Sequence, residues 1–188
     1  GSDFVEEGRR AARWVVEDSE GKPGPIRIVE LQGTVGSAPA NDRMRGFKEV
    51  IEGDDRFQIV RSQSGDFTRA RGKEVMEAFL KAETGGIDVL YAHNDDMAIG
   101  AIQAIEEAGL KPGTDIRIVS IDGVRGAFEA MNAGKLNATV ECNPLLGTQL
   151  AQLIRDVHAG REVPKRVMVE EGVFTRDQAA AELPNRKY

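Results

Sequence analysis

The sequence predicts an α/β protein, a doubly wound and mostly parallel sheet with helices on both faces. Short apolar runs of strand length alternate along the 188 residues with longer stretches of helical spacing. The loops between them are short and rich in Gly, Pro, Asn and Asp. Apolar residues make up 40% of the chain and aromatic residues 5%, as in an ordinary globular protein. Such alternation implies parallel strands joined by right-handed helical connections.

The first third of the chain begins the alternation with a helix. Apolar residues recur at helical spacing from Phe4 to Asp18, and a stretch rich in Gly and Pro then ends the helix. Residues 26–31 read as a strand, and 33–39 as a loop. Asn41 or Asp42 is the candidate cap of a helix that runs to about Glu52. Residues 57–60 form the next predicted strand.

The middle of the chain repeats the same pattern. Asp66 is the expected cap of a helix over residues 67–82, since Asp is a preferred capping residue. The elements that follow are a strand at 88–92, a helix at 95–108, a strand at 116–121, a helix at 124–133 and a strand at 138–140.

The last quarter departs from strict alternation. Asn143-Pro144 opens a helix over 145–158, and Gly160 ends it. Residues 166–169 read as a strand, and 172–175 as a last strand piece. The tail from Arg176 is polar, which predicts that it lies on the surface.

Charge and motifs argue against several function classes. The net charge of −6 disfavours a nucleic-acid surface, which needs clustered Lys and Arg. The single cysteine, Cys142, excludes an internal disulfide and a Cys-rich metal site. No Gly-x-Ser-x-Gly elbow and no phosphate loop occur, and His93 and His158 lack metal-ligand spacing. We therefore expect neither an enzyme nor a bound cofactor or metal.

Two predicted strands end in hydrogen-bonding side chains, Asn94 after the strand at 88–92 and Asp122 at the end of the next. In an open parallel sheet, ligands bind outside the carboxyl ends of the strands. A binding site for a sugar needs an ionised carboxylate that accepts hydrogen bonds, a guanidinium that donates several, an amide that does both, and an aromatic ring against the C–H face. Asp122, Arg43, Asn94 and Phe67 supply these types. Structural interpretations stay open: helix caps for Asn94 and Asp122, a surface position for Arg43, and ordinary core for Phe67.

Several motifs resemble the periplasmic sugar-binding proteins of the ribose/galactose type, and most closely their galactofuranose-binding branch. They are Gln63-Ser-Gly-Asp66-Phe67-Thr-Arg69, Tyr91-Ala-His-Asn94-Asp-Asp-Met-Ala-Ile-Gly100 and Ser120-Ile-Asp122-Gly123. The resemblance runs from residue 3 to about residue 145 and continues more loosely to the end. It implies a solute-binding component of an ABC sugar importer, periplasmic and without enzymatic activity, that delivers a galactofuranose-like monosaccharide to a membrane permease. The alternative is the effector-binding domain of a lactose-repressor-type regulator.

The resemblance also assigns sugar contacts residue by residue. It gives this role to Arg43 in Arg43-Met-Arg-Gly46-Phe47, to Phe67, to Asn94 and to Asp122. Ribose-type proteins carry a further Gln near the hinge, where this chain has Cys142. Glu141 or Asn143 is the candidate replacement for that contact.

The same resemblance divides the chain. Residues 1–143 are expected to form the C-terminal, sugar-binding lobe, and 144–170 a hinge crossing with a helix and strand of an absent N-terminal lobe. Residues 171–188 would be the return strand and surface tail. Apolar side chains of the 144–170 segment, such as Leu150 and Ile154, would then be exposed, and exposed apolar patches imply association. We expect self-association through this segment, exchange of the segment between chains, or its displacement.

Overall fold

In a computed structural model of residues 1–188, a six-stranded sheet forms the centre of the protein. Its strands, in chain order, are β1 (Ile26–Gln32), β2 (Phe57–Ser64), β3 (Val89–Ala92), β4 (Arg117–Asp122), β5 (Ala138–Glu141) and β6 (Val173–Thr175). The helices are α1 (Phe4–Asp18), α2 (Ala38–Ile51), α3 (Arg69–Ala82), α4 (Asp95–Glu107), α5 (Arg125–Asn132), α6 (Gly147–His158) and α7 (Ala179–Glu182). None of these helices combines the length and the apolar character needed to cross a membrane.

The strand order is β2-β1-β3-β4-β5-β6, and every neighbouring pair is parallel except β5 with β6. The predicted doubly wound, mostly parallel fold is thus confirmed. After β1 the chain first adds β2 on one side and then β3 on the other. The carboxyl ends of β1 and β3 therefore form the topological switch point, where ligands bind in sheets of this kind.

Helices cover both faces of the sheet. Alternate strand residues point to opposite faces, so Ile28 packs towards α1 and α2, while Val29 and Leu31 pack towards α3 and α4. On the first face, α1 and α2 approach closely through two glycines. A Cβ at Gly8 would lie 2.2 Å from the Arg43 carbonyl oxygen, and one at Gly46 would lie 1.9 Å from that of Val5.

Two predicted helix starts were wrong. Ser37 caps α2, because its hydroxyl accepts from the Ala40 N–H, and Asn41 therefore lies inside the helix. Thr68 caps α3 instead of Asp66. Asp66 has a φ of +54°, a left-handed backbone that cannot join a right-handed helix, and its carboxylate accepts from the Thr34 hydroxyl.

Helix α6 lies against the surface without a buried residue. As expected, its apolar side is exposed, with Leu150 at 56% and Ile154 at 60% of their accessible areas. The strand predicted at 166–169 was wrong. A strand needs a neighbouring strand, and the backbone of this segment pairs only with Gly1, through Val167 and Val169.

The C-terminal tail folds back onto the sheet and α5. The surface prediction for this tail was wrong for Ala179, which is fully buried, and for Arg186, whose side chain is 9% exposed. The Arg186 guanidinium lies 4.5 Å and 4.3 Å from the ring centroids of Phe128 and Phe174. An arginine can bury its stem and stack on aromatic rings while keeping its charge paired, which residue polarity alone does not reveal.

Candidate functional site

The carboxyl ends of β1, β3 and β4 meet at one edge of the sheet, here called the strand-end rim. Gly33 follows β1, His93 and Asn94 follow β3, and Asp122 ends β4. Parallel pairing aligns these ends, since Leu31 of β1 stands opposite Ala92 of β3. Helix α2 starts above the switch point and brings Arg43 to the same place.

Arg43 is the centre of the strand-end rim and is 3% exposed. Its Nε donates to Glu7 Oε2 at 2.7 Å, and its Nη1 donates to the His93 carbonyl at 2.6 Å. Its Nη2 lies 3.5 Å from Asp122 Oδ1. Burial opposes the charge, but the carboxylates of Glu7 and Asp122 outweigh it and raise the pKa of Arg43. A guanidinium has five N–H donors, so donors remain for a ligand.

Asp122 faces Arg43, and the backbone of Asp122 is distorted. Its φ of +133° is uncommon for a residue other than glycine. Burial, followed by the negative charge of Asp95, raises the pKa of Asp122 to about 8, while Arg43 acts in the opposite direction. The side chain is still 28% exposed, so a ligand can reach it.

Asp95 holds the turn that carries Asp122. It is fully buried and accepts from the N–H groups of Gly123 and Val124, both at 2.8 Å, and from the hydroxyls of Ser120 and Thr139. Its buried role depends on the β4 and β5 side chains that surround it, and these are distant in sequence.

Asn94 combines the capping role with a place at the rim. Its Oδ1 accepts from the Met97 N–H at 3.0 Å, so the capping interpretation is confirmed. Its Nδ2 donates to the Phe67 carbonyl at 3.1 Å, which ties β3 to the loop before α3. The amide keeps one N–H and further acceptor capacity for a ligand.

Phe67 packs against the core from its edge, and its ring also borders the rim beside Arg43. It is only partly buried, and its φ of +58° is a left-handed conformation that costs free energy in a bulky residue. The ring lies over Gly33, where a Cβ would be 1.9 Å from Phe67 Cζ. The Arg43 guanidinium carbon lies 5.9 Å from the Phe67 ring centroid and 5.5 Å from that of Phe4.

Glu141 does not join this group. Its Oε1 accepts from Arg186 Nη1 and from the Tyr188 hydroxyl, both at 3.0 Å, so the folded-back tail occupies it. The other candidate, Asn143, uses its side-chain oxygen to accept from the Leu145 N–H. The structure therefore brings together Arg43, Phe67, Asn94 and Asp122. Glu141 stands opposite Asp122 in the β4–β5 register, but its carboxylate is bonded to the tail and not to this group.

Sequence reasoning missed two neighbours of Arg43, namely Phe4 and Glu7. Glu7 is 1% exposed, and burial raises the pKa of its carboxyl group although Arg43 opposes this. A signal was present, since Glu7 is a charged residue on the otherwise apolar side of α1. Glu7, Cys142 and Glu171 place potential metal-ligand atoms within 4.8 Å of one another. Glu7 is already ion-paired with Arg43 there, which lowers its availability to a cation.

The strand-end rim is an open surface. A depression of about 560 Å³ lies elsewhere, between the end of α2 and the start of β2, and its lining includes Glu52, Asp54 and Phe57. That depression has no part in the cluster around Arg43. The concentration of buried charge, strained backbone and aromatic surface points to the rim as the functional site.

Comparisons with known proteins identify the family of the chain. Residues 1–162 match the family described as "Periplasmic binding protein domain". The galactofuranose-binding protein of Escherichia coli (strain K12) is 48% identical over 99% of this chain and 59% of its own length. A Mycobacterium smegmatis protein solved in complex with β-D-fucofuranose is 53% identical, with a TM-score of 0.93 over 100% of this chain and 62% of that one.

A third relative is the periplasmic binding protein of the arabinose ABC transporter from Shewanella sp. ANA-3, solved with α- and β-L-arabinofuranose bound. It is 49% identical and has a TM-score of 0.93 over 99% of this chain and 61% of that one. The chain thus spans about three fifths of the length of these relatives.

Proposed function

The chain belongs to the periplasmic binding protein family, and from this premise we propose that it binds a monosaccharide in its furanose form. The binding surface is the strand-end rim, with Arg43, Phe67, Asn94 and Asp122 as the contacts. The solved relatives that hold fucofuranose and arabinofuranose support a furanose ligand. Relatives of this chain are solute-binding proteins and not enzymes.

The chemistry of the rim supports a sugar. Arg43 donates, Asp122 accepts when ionised, and Asn94 does both, which matches hydroxyl groups that also do both. Hydrogen bonds to charged groups contribute about 1.5–3 kcal/mol each, against roughly 1 kcal/mol for neutral ones. The Phe67 ring offers a flat apolar surface for the C–H face of a sugar ring.

One observation carries the proposal: the Arg43–Asp122 pair sits beside an aromatic ring, and both Phe67 and Asp122 have left-handed backbones. Strained conformations of this kind cost about 1–3 kcal/mol each and concentrate at ligand-binding sites. Neither backbone conformation is needed to form the sheet, since β4 pairs regularly with β5 up to Asp122.

The role of the whole protein is part of the same proposal. We place this chain in the periplasm as the solute-binding component of an ABC sugar importer, with a membrane permease as its partner. Residues 1–143 act as one lobe, and the additional length found in the relatives supplies the other. Residues 144–170 form a hinge crossing with a helix and a strand that belong to that other lobe, and 171–188 return to the sheet. Closure of two lobes on a sugar is a hinge motion.

A repressor effector domain has the same fold, so the fold does not distinguish it from a transport receptor. The named relatives favour transport, because they are described as galactofuranose-binding and arabinose-transporter proteins.

Calorimetry tests the proposal directly. The ligands are galactofuranose, galactose, ribose and arabinose, with methyl galactopyranoside as a sugar that cannot adopt the furanose form. The proteins are this chain and a two-lobe version completed with the additional N-terminal residues of the Escherichia coli relative. We expect the two-lobe version to bind furanose-forming sugars far more tightly than the chain alone, which keeps only part of the contacts. Absence of binding by the two-lobe version, or equal affinity for the locked pyranoside, would contradict the proposal.

A further inference from the structure

We infer that the buried pair Glu30–His93 positions the side chains that hold the sugar, an inference that rests on the proposed function. Both residues are fully buried, and Glu30 Oε1 lies 3.1 Å from His93 Nε2. Neither touches solvent, so neither contacts a ligand at the rim. A buried charged group is costly, and such pairs often add little stability over apolar residues of the same size.

The hydrogen bonds of His93 fix its tautomer. The Gly33 N–H donates to His93 Nδ1 at 3.3 Å, so Nδ1 carries no proton. Nε2 therefore carries the proton and donates it to Glu30. Burial lowers the pKa of His93, in agreement with a neutral ring. The other Glu30 oxygen accepts from the Ser62 hydroxyl and from Gln32 Nε2.

From this pair, contacts lead to three of the four proposed sugar-binding residues. The His93 carbonyl accepts from Arg43 Nη1 at 2.6 Å, which sets the plane of the guanidinium. The His93 ring holds Gly33, and Gly33 lies directly beneath the Phe67 ring. Asn94 is the next residue along the backbone. Loss of the two ring hydrogen bonds would release Gly33 beneath the Phe67 ring and loosen the backbone that carries the His93 carbonyl and Asn94.

Two substitutions at His93 separate positioning from simple packing. His93→Gln can reproduce both bonds, because its amide oxygen accepts from Gly33 and its amide nitrogen donates to Glu30. His93→Leu fills space but leaves the Gly33 N–H and the Glu30 carboxylate unpaired. In the two-lobe version we expect His93→Leu to lower furanose affinity at least about tenfold and His93→Gln by less than about threefold. Lys81→Gln, at an exposed position near the end of α3 and away from the rim, is the control and leaves affinity unchanged.

A spectroscopic measurement on this chain gives a readout that is independent of sugar. Nitrogen-15 NMR of the unsubstituted protein is expected to show His93 as the neutral Nε2–H tautomer. In His93→Gln the Gly33 amide and Arg43 Nε–H resonances stay near their original positions. If His93→Leu fails to fold, these NMR measurements still test the positioning role of the Glu30–His93 pair.

The outcomes are distinct. A His93 proton on Nδ1, an unchanged affinity in folded His93→Leu, or a tenfold loss in both variants overturns the positioning role. If the two-lobe protein shows the expected tautomer but binds no furanose, the sugar-binding function is contradicted. The arrangement of Arg43 around His93 stands in that case.

Discussion

Arg43 and Asp122 form an ion pair across 79 positions of sequence, with Nη2 3.5 Å from Oδ1. The pair is long for a salt bridge because Arg43 is held more closely by Glu7 and by the His93 carbonyl. The guanidinium of Arg43 is thus close enough to stabilise Asp122, but it leaves the Asp122 oxygens able to form further hydrogen bonds. The carboxyl group can therefore accept from a ligand hydroxyl when ionised, and can both donate and accept when protonated, as its pKa of about 8 implies near neutral pH.

Asp122→Ala is therefore expected to weaken sugar binding by at least about tenfold, or about 1.4 kcal/mol, in the two-lobe version. Calorimetry with the preferred furanose measures the change. Asp55→Ala is the control, since Asp55 is exposed in the loop between α2 and β2, at the amino end of the strands and so away from the rim. An affinity of Asp122→Ala equal to that of the control would remove Asp122 from the site.

The stability of the chain should depend on pH through Asp122. Its pKa is raised from an ordinary value of 3.8 to about 8, by burial and then by the Asp95 charge. Between these values the folded state keeps a proton that the unfolded state releases, so the free energy of unfolding falls as the pH rises from about 4 to about 8. Asp95, with its pKa raised to about 6, contributes in the same direction over the lower part of this range.

Urea unfolding at about pH 5 and about pH 8 measures this fall. Asp122→Asn, which does not titrate, should reduce it by at least about 1.4 kcal/mol, the equivalent of one pKa unit. Asp55→Asn should leave it unchanged, since Asp55 is exposed in the loop between α2 and β2, at the opposite end of the strands from Asp122. If Asp122→Asn shows the same fall as the unsubstituted chain, Asp122 does not carry the raised pKa.

The sequence predicted the sheet and the clustering of four site residues because both depend on short-range patterns. Alternating strands and helices fix the order of elements, and parallel strands bring Asn94 and Asp122 to one edge. The placement of Glu141 could not be predicted in this way. It depends on Arg186, which is 45 positions away and reaches Glu141 only after the tail folds back.

The strained backbone of Phe67 also could not be predicted from the sequence. Nothing in the local residue types requires a left-handed Phe67, and the helix starting at 67 was the more favourable reading. The conformation arises because Asn94 Nδ2 holds the Phe67 carbonyl and the ring packs over Gly33. Both partners are tertiary neighbours, so their effect appears only once β1, β3 and α3 are assembled.

Gly46→Ala should destabilise the chain, since the added Cβ would lie 1.9 Å from the Val5 carbonyl oxygen where α1 and α2 cross. Forcing an atom into a packed contact costs about 1–3 kcal/mol. Urea unfolding measures the loss. Gly147→Ala is the control, because a Cβ there meets nothing within 4 Å and the residue opens helix α6. Equal stability of the two variants would show that the helices can separate without cost.

Arg186→Ala should also destabilise the chain, by about 2 kcal/mol or more, because it removes stacking on Phe128 and Phe174 and leaves Glu141 without its ion-pair partner. Arg125→Ala is the control. Arg125 is 55% exposed and pairs only with the exposed Glu129, and such surface pairs contribute little. A midpoint of urea unfolding that is the same in both variants would indicate that the tail does not stabilise the fold.

Helix α6 should drive self-association of this chain when its proposed partner lobe is missing. Its exposed apolar side includes Leu150, Ile154 and Val157, and burying such surface contributes about 25 cal/mol per Å². Size-exclusion chromatography with light scattering is expected to show species larger than the 20.5 kDa chain. Leu150→Asp with Ile154→Asp should shift the population to monomer, because a charge at each position opposes burial. Val35→Asp is the control, since Val35 is 81% exposed and lies far along the chain from this helix. A chain that is strictly monomeric before any substitution contradicts association through α6.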